Sequence, residues 1–315
     1  MGVCDGLRHS AAALRTGSRP SIACVLLAAL ATTLACSATA SAGVYRAFSD
    51  PQPVTISGYS GSAMEPFISR DGQYLLFNTS NVAPSIPSLQ YATRVNAQTF
   101  EYQGEILGEA VNEAGVLSGT PTMDDEGNLY FVSPRSYGQT LSTIYSGRFS
   151  GGTVTGVHLV PGVSGGLPGT VDFDVEVSAD GDTLYVSVGQ FEADGAGPMK
   201  ASLELFDKVG ASFVPDPHSA KLLHKIDNHG ELDYAASISS NGLELFFTRA
   251  SPALGQPPAI YRSARSSTSR PFGHVQRVAA ITGFDEAPSI GADGTTLYYH
   301  ALVGDQFEIY SVTRP

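Results

Sequence analysis

A short pattern of apolar and polar positions recurs five times along the chain and predicts pairs of antiparallel strands joined by tight turns. Each copy has an apolar strand, a turn that ends in glycine, and a second strand rich in Leu, Tyr and Phe. The copies span residues 65–78, 120–133, 174–187, 235–248 and 287–300. Their turn glycines are Gly72, Gly127, Gly181, Gly242 and Gly294. The Asp-Gly and Asn-Gly turns favour type I′ hairpins, in which both central residues take a positive φ.

Two further strands follow in each unit. A third strand is predicted at residues 90–94, 144–148, 205–208, 260–263 and 309–314, and a weaker fourth strand precedes the next unit, for example at residues 275–281. The second strands are too continuously apolar for a sheet with one solvent-exposed face, so we expect them to pack between neighbouring sheets. Four strands in each of these repeats predict an all-β fold, a single β-propeller of four-stranded blades with almost no helix.

The repeat count predicts five blades, and a sixth would require a degraded repeat, for which the interval 181–242 has the most room. The fifth repeat shows only three strands. Residues 54–60, before the first repeat, resemble residues 278–284 at the same repeat position. We therefore expect this N-terminal strand to complete the last blade and close the ring, which removes the exposed edges of an open array.

The repeats resemble those of a known family. The string Glu-Pro-x-x-Ser-x-Asp-Gly followed by Tyr-Leu-x-Phe, from Glu65 to Phe77, and the third-strand signature Ile309-Tyr310 resemble the WD-like repeats of TolB-type propellers. The resemblance covers nearly all of residues 43–315 and implies a TolB-like propeller domain. Such propellers serve as protein-binding platforms, as sensor domains and in some cases as parts of enzymes, so the resemblance implies a fold more than a function.

The first 42 residues have the features of a secretory signal. Three arginines precede an apolar run at residues 22–31, and small residues follow up to Ala42. We expect a signal peptide over 1–42, no membrane span, and a periplasmic or extracellular protein that starts at Gly43. The residues before Cys36 loosely resemble a lipoprotein processing site, so a lipid anchor at Cys36 is the alternative. All three cysteines lie in this segment, which leaves residues 43–315 without a disulfide or a thiol nucleophile.

The acidic balance of the chain narrows the choice of partner. The formal net charge is −12, and it becomes more negative once the arginines of the leader are removed. Phosphate groups would be repelled, so nucleic acid is not an expected partner. A protein or a small polar or cationic ligand fits better, unless the charge serves only solubility. We expect a monomer.

Carboxyl groups recur just upstream of, or at the start of, the first strands, which line the central channel of a propeller. The candidate ring at the channel mouth consists of Glu65, Asp172, Asp174, Asp233, Asp285 and Glu286. Crowded carboxylates either bind a hard cation such as Ca²⁺ or raise one another's pKa. The structural alternative is that they accept backbone N–H bonds from the adjacent blade. The turn residues Asp71, Asp180 and Asp293 are interpreted as turn formers.

No catalytic motif in its usual structural setting is present after residue 42. H-E-x-x-H and a Cys/His pair are absent, and the one G-x-S-x-G string, residues 162–166, lies in a glycine-rich loop between predicted strands with no helix after it. His218, His224 and His229 have spacings that match no standard metal pattern, so no cofactor is expected apart from the Ca²⁺ considered above. The sequence therefore favours an exported, non-catalytic binding module. The alternative is a carbohydrate-active hydrolase or lyase that uses the channel carboxylates, although the chain contains no Trp for stacking on sugars.

Overall fold

The computed structural model describes residues 45–192, 197–227, 230–251 and 255–315. The predicted signal peptide and Cys36 lie outside the described residues, as does His229. The part that is described belongs to one unit, residues 42–315.

Strands dominate this unit and follow one another as antiparallel meanders. Two short strands come first, β1 (Ser49–Pro53) and β2 (Thr55–Ser57). The first blade contains β3 (Met64–Ile68), β4 (Tyr74–Asn78), β5 (Leu89–Arg94) and β6 (Thr99–Glu105). The second contains β7 (Gly119–Met123), β8 (Asn128–Val132), β9 (Ile144–Ser150) and β10 (Thr153–Leu159). The third contains β11 (Thr170–Val177), β12 (Thr183–Phe191), β13 (Pro198–Val209) and β14 (Ser212–Pro215).

The C-terminal part of the chain continues the same pattern. The fourth blade contains β15 (Leu232–Ile238), β16 (Glu244–Ser251), β17 (Gln256–Ala264) and β18 (Gln276–Arg277). The last contains β19 (Asp285–Ile290), β20 (Thr296–Val303) and β21 (Gln306–Thr313). The first strand of each blade contacts the first strand of the next, and β19 contacts β3, so these strands surround a central axis. The prediction of an all-β propeller is confirmed.

An N-terminal strand completes the last blade, as expected, but it is a different segment from the one that the sequence suggested. The strand β1 pairs antiparallel with β21 on the outer edge of that blade. The predicted segment, residues 54–60, instead supplies β2, which pairs parallel with β6 of the first blade. The buried side chains of Phe48 and Val54 flank β1, whose own residues are exposed, and these two anchors fix where the chain crosses from one blade to the other.

The hydrophobic core lies between the blades. Five apolar clusters occur among the described residues, and each combines side chains from two adjacent blades. The cluster between the last and first blades includes Tyr298 and Ile309 with Ile68, Leu75 and Phe77. These apolar second strands are buried on both faces, which explains their continuous hydrophobic runs.

The hairpin turns differ from the prediction in type. All five turn glycines take a positive φ, between 68° and 82°, but the residue before each of them, which is Asp, Asn or Glu, does not. The N–H of Gly72 donates to the carbonyl of Ser69 at 2.7 Å, and the other four repeats have the same bond. A turn of this kind followed by a left-handed glycine is a type I turn with a bulge, so the expectation of type I′ is wrong. The side chain of Asp71 accepts from the N–H of Gln73 at 3.0 Å, as a turn former does.

Among the described residues, helix is confined to short segments: a 3₁₀ turn (Pro134–Ser136), α1 (Tyr137–Thr140) and α2 (Ser219–Leu223). No helix in the described ranges is long and apolar enough to cross a membrane. Within the described part of the interval 181–242, the extra length is used by the long strand β13 and by α2.

Candidate functional site at the channel mouth

The innermost strands enclose a narrow cavity of about 20 Å³. The first residue of every repeat copy lines it: Glu65, Thr120, Asp174, Ala235 and Ala287. A cavity of this size has room for about one water molecule. The repeats therefore meet at the axis, but the residues of the innermost strands fill almost all of the channel.

Every innermost strand carries a bulge at its entrance, where the register with the second strand shifts. In four copies the first residue is in the left-handed region, with φ between 49° and 51°, although none of the four is glycine. Such backbone is costly for a residue with a Cβ and persists only where surrounding contacts hold it. The bulge directs the N–H of this residue towards the preceding blade.

These N–H groups donate hydrogen bonds across the blade interfaces. Each acceptor is the last residue of the preceding repeat copy, and all four acceptors are buried. The pairs are Thr120 with Asn78 (3.0 Å), Ala235 with Ser187 (3.0 Å), Ala287 with Thr248 (2.9 Å) and Glu65 with His300 (3.1 Å). At this position the blade-linking role that the sequence suggested for carboxylates belongs to amide, hydroxyl and imidazole groups, whereas deeper in the channel the carboxylate of Glu176 accepts the N–H of Ile238 from the next blade at 3.2 Å.

The six predicted ring residues are divided by the structure into two sets. Glu65, Asp174 and Glu286 lie close enough together to interact electrostatically, and His300 is beside them. Asp285 is next to this group, near His300 and Glu286. The other two carboxyl groups, which belong to Asp172 and Asp233, have different neighbours. The mouth thus contains a compact acidic cluster rather than a complete ring.

Burial dominates the electrostatics of the cluster. It raises the pKa of Glu65 to about 8, with the nearby Asp174 and Glu286 adding to the rise and His300 opposing it. Burial, and then the charge of Glu176, also hold the pKa of Asp174 well above its ordinary value, while a hydrogen bond with Ser187 opposes the shift. With a pKa of about 8, Glu65 is therefore mainly protonated and uncharged at pH 7.

The side chain of Glu286 has partners on both sides. Its Oε1 accepts from the hydroxyl of Tyr234, and its Oε2 lies 3.4 Å from Nε2 of His300. The Nδ1 of His300 accepts the N–H of Glu65, so we assign the proton of a neutral imidazole to Nε2, which donates to Glu286. Burial lowers the pKa of His300, but Glu286, Glu65 and Asp285 together raise it. A second proton on this ring would have to occupy Nδ1 and would break the bond between the last and first blades.

The remaining predicted residues are buried in different settings. Burial raises the pKa of Asp172 to about 7 and that of Asp285 to about 6. Both oxygens of Asp172 and Oδ2 of Asp285 are buried without a hydrogen-bond partner. Asp233 differs because Arg249 binds it with Nε at 2.7 Å and Nη2 at 3.1 Å. We therefore interpret Asp233 as a structural group that neutralises Arg249.

A buried ion pair deeper in the channel was not expected from the sequence. Nη2 of Arg70 lies 3.1 Å from Oε1 of Glu176 and donates to the carbonyl of Val177 at 2.7 Å. The hydroxyl of Thr122 donates to the other oxygen of Glu176 at 2.5 Å. The sequence did contain a sign of this ion pair, because Glu176 is charged at a repeat position where the other copies have Phe, Thr or Ser. The pair occupies the channel below Glu65 and Asp174.

The described residues contain no group of three or more His, Cys, Asp or Glu placed to hold a metal ion. Calcium binding at the mouth therefore stays a prediction without geometric support. His218 and His224, two of the three clustered histidines, are exposed.

No protein-family model matches the chain, and no curated protein matches it. Solved structures do match. A glycoside hydrolase aligns with a TM-score of 0.60 at 13% identity, over 86% of this chain and 93% of the other. A family 117 glycoside hydrolase from Zobellia galactanivorans aligns with a TM-score of 0.52 at 12% identity, over 85% and 90%.

A TolB from Acinetobacter baumannii aligns less well, with a TM-score of 0.43 at 14% identity, over 80% of this chain and 55% of the other. At 12–13% identity, the likeness to the two glycoside hydrolases shows the propeller fold alone. The TolB-type family suggested by the repeats remains a resemblance, and the function has to be argued from the site.

Proposed function

We propose that the protein is an exported, non-catalytic binding propeller whose channel mouth accepts a cationic group, either from a protein partner or from a small amine. The observation that carries this proposal is a pair of carboxyl groups, those of the half-buried Glu65 and the buried Asp174, which line a cavity of about 20 Å³. Neither is in an ion pair with a basic side chain in the described part of the chain. Arg70, the nearest channel arginine, is already bound to Glu176.

An incoming cation would reverse the effect of burial on these groups. Their pKa values are raised because the charged form is poorly solvated inside the protein. A positive charge within about 4–6 Å favours the ionised form again, so each carboxyl group can release its proton and pair with the ligand. The aromatic rings of Tyr234 and Phe173, which lie 5.9 Å apart beside this cluster, add faces that attract cations.

The size of the cavity selects the shape of the ligand. Pockets for ordinary small molecules have volumes of about 300–1,000 Å³, which is far more than the channel offers. A single ammonium group at the end of a flexible chain needs only about the space of one water molecule. A lysine side chain presented by a partner protein satisfies both the charge and the size.

The test uses two probes, Nα-acetyl-lysine amide and Nα-acetyl-norleucine amide, which has the same four-carbon side chain without the terminal ammonium group. Calorimetric titration at pH 7 should show binding of the lysine probe alone. The variants Glu65→Gln and Asp174→Asn should weaken this binding at least about tenfold, because each removes a charge partner at close range. Glu101→Gln, a change at an exposed position on β6, is the matched control and should bind as the unaltered protein does. Equal binding of both probes, or unchanged binding by the two mouth variants, would contradict the proposal.

A second candidate function is glycoside hydrolysis, which one observation favours. The carboxyl groups of Glu65 and Glu286 both interact electrostatically with His300 but have unlike surroundings, and such a pair of carboxyl groups can divide the roles of acid and base. Two of the solved structures that share the fold are described as glycoside hydrolases.

Hydrolysis of a panel of 4-nitrophenyl glycosides decides this question. If the unaltered protein cleaves any of them and Glu65→Gln and Glu286→Gln each reduce the rate about a hundredfold or more, the protein is a hydrolase and the non-catalytic proposal is wrong. Absence of cleavage across the panel favours the binding module.

A further inference from the structure

A second cavity, of about 540 Å³, lies between the third and fourth blades. The hairpin turns of both blades line it, including Asp180 and Asn241. Because each innermost strand runs from the mouth to its turn, this cavity opens at the opposite end of the strands from Glu65. Its volume falls within the range of small-molecule sites.

Two irregular segments wall this cavity, and the other described blades have no counterpart to them. One is the connection between β14 and β15, which contains α2 and contributes Asp216, His218 and Lys221. The other is the long loop from β17 to β18, which contributes Thr268 and Ser269. The N–H of Phe272 in this loop donates to the carbonyl of Leu222 in α2 at 2.9 Å, which ties the two walls together. The unusual length of the interval 181–242 thus serves to build a cavity.

The groups in the cavity are polar and of both signs. The lining includes the acidic Asp207 and Asp216, the basic Lys221 and Arg265, and hydroxyl groups such as that of Thr183. Arg265 is held in place, because its Nε donates to the carbonyl of Gly242 at 2.8 Å and its Nη2 to the hydroxyl of Tyr185 at 3.0 Å.

This mixture of charges suits one class of ligand. A purely anionic or cationic molecule would meet groups of its own sign. An alcohol group both donates and accepts, so it can bind a carboxylate and a guanidinium or ammonium group at once. Leu205 and Leu222 supply an apolar patch for the C–H face of such a molecule.

We propose that the cavity between the third and fourth blades binds a small polyhydroxylated molecule, of the size of a monosaccharide or disaccharide. Burial and the nearby Asp216 raise the pKa of Asp207, with Thr183 and His218 opposing the shift, which agrees with a partly desolvated position for this side chain. The site is separate from the channel mouth and does not depend on what the mouth binds.

The experiment is saturation-transfer NMR, followed by calorimetric titration, with glucose, galactose, arabinose, rhamnose, lactose and cellobiose as probes. At least one sugar should bind, and Asp207→Asn should raise its dissociation constant about tenfold, the size expected for a lost bond to a charged acceptor. Ser240→Trp, at an exposed turn residue that lines the cavity, should fill the space and abolish binding while the fold is kept.

The control is Ala292→Trp, at the equivalent exposed turn position in the last blade. It lines a different groove, of about 470 Å³, between the last and first blades. This variant and Glu65→Gln should bind the sugar as the unaltered protein does. The proposal is overturned if no probe binds, if Ala292→Trp rather than Ser240→Trp removes binding, or if Glu65→Gln removes it, since the last result would place the sugar at the mouth.

Discussion

At the scale of single residues, four of the hydrogen bonds between blades depend on a buried acceptor at the end of a repeat copy. The Oγ1 of Thr248 accepts the N–H of Ala287, whose left-handed backbone points this N–H at the neighbouring blade. Replacement of this acceptor by an apolar group of the same shape would leave a buried donor without a partner, which costs more than the net value of an ordinary hydrogen bond.

Thr248→Val should therefore lower the free energy of unfolding by about 1–3 kcal/mol. Thr248→Ser is the control, because it keeps the hydroxyl and loses only a methyl group, and it should retain most of the stability. Urea denaturation measures both. Equal stability of the valine variant and the unaltered protein would show that this bond does not hold the blades together.

The pH dependence of stability follows from the buried carboxyl groups. The pKa of Glu65 is raised from 4.5 to about 8 in the folded protein. Between these two values the folded state binds a proton that the unfolded state has lost, so stability falls as the pH rises. Asp172, with a pKa of about 7, and Asp285, with a pKa of about 6, act in the same direction.

The melting temperature should therefore decrease from pH 5 to pH 8 and then level off as Glu65 becomes ionised. Glu65→Gln removes one titrating group and should make the curve flatter, with its largest gain over the unaltered protein above pH 7. The exposed variant Glu101→Gln should leave the curve unchanged. A melting temperature that rises between pH 5 and pH 8 would contradict the assigned pKa shifts.

At the scale of elements, the strand β1 is held by the side chain that precedes it. Its own five residues are exposed, but Phe48 is buried, lies edge-on to Phe246 at 5.7 Å and sits under the guanidinium of Arg314 at 4.7 Å. This anchor keeps β1 paired with β21 and covers the outer edge of the last blade.

Phe48→Ala should lower the free energy of unfolding by about 3–5 kcal/mol, as expected for a large aromatic side chain removed from a core. It should also make residues 49–53 sensitive to limited proteolysis under native conditions, because the strand loses its anchor. Phe284→Ala, at a partly exposed position, is the control and should have a much smaller effect. Unchanged protease resistance in the Phe48 variant would show that β1 is held in another way.

Much of this arrangement of elements could be predicted from the sequence, because the repeats carry it. The turn glycines, the apolar second strands and the third strands all lie where the pattern placed them. The closing strand was misplaced because residues 49–53 are polar and exposed, whereas the more apolar residues 54–60 gave the stronger signal. Hydrogen bonding to β21 and the anchor Phe48 determine the pairing, and neither is visible in a hydrophobic pattern.

The candidate site was only partly predictable, for a similar reason. Comparison of the five repeat copies with one another indicated which carboxyl groups approach the axis, and Glu65 and Asp174 do line the cavity there. The comparison of repeats could not show that Arg249 neutralises Asp233 or that Arg70 reaches Glu176, since both ion pairs depend on how the side chains are placed in three dimensions. The cavity beside α2 depends on two irregular segments with no repeat pattern.

At the scale of the whole molecule, the acidic charge supports cation binding at the mouth. A net charge of −12 attracts positively charged partners over distances of about a Debye length, which is about 8 Å at physiological ionic strength. Association of the lysine probe should therefore weaken as salt is added, whereas sugar binding in the cavity between the third and fourth blades should not. Titrations at 20 mM and 500 mM NaCl check this, and salt-independent binding of the lysine probe would argue against an ionic contact.

The most direct test of a cation-binding mouth is the number of protons released when the lysine probe binds at pH 7. Calorimetry in two buffers with different ionisation enthalpies measures it. With Glu65 mainly protonated in the free protein, we expect release of about one proton or more for each probe bound, and a clear reduction in Glu65→Gln. Binding without proton release, or the same release in Glu65→Gln, would mean that the probe does not reach the buried carboxyl groups.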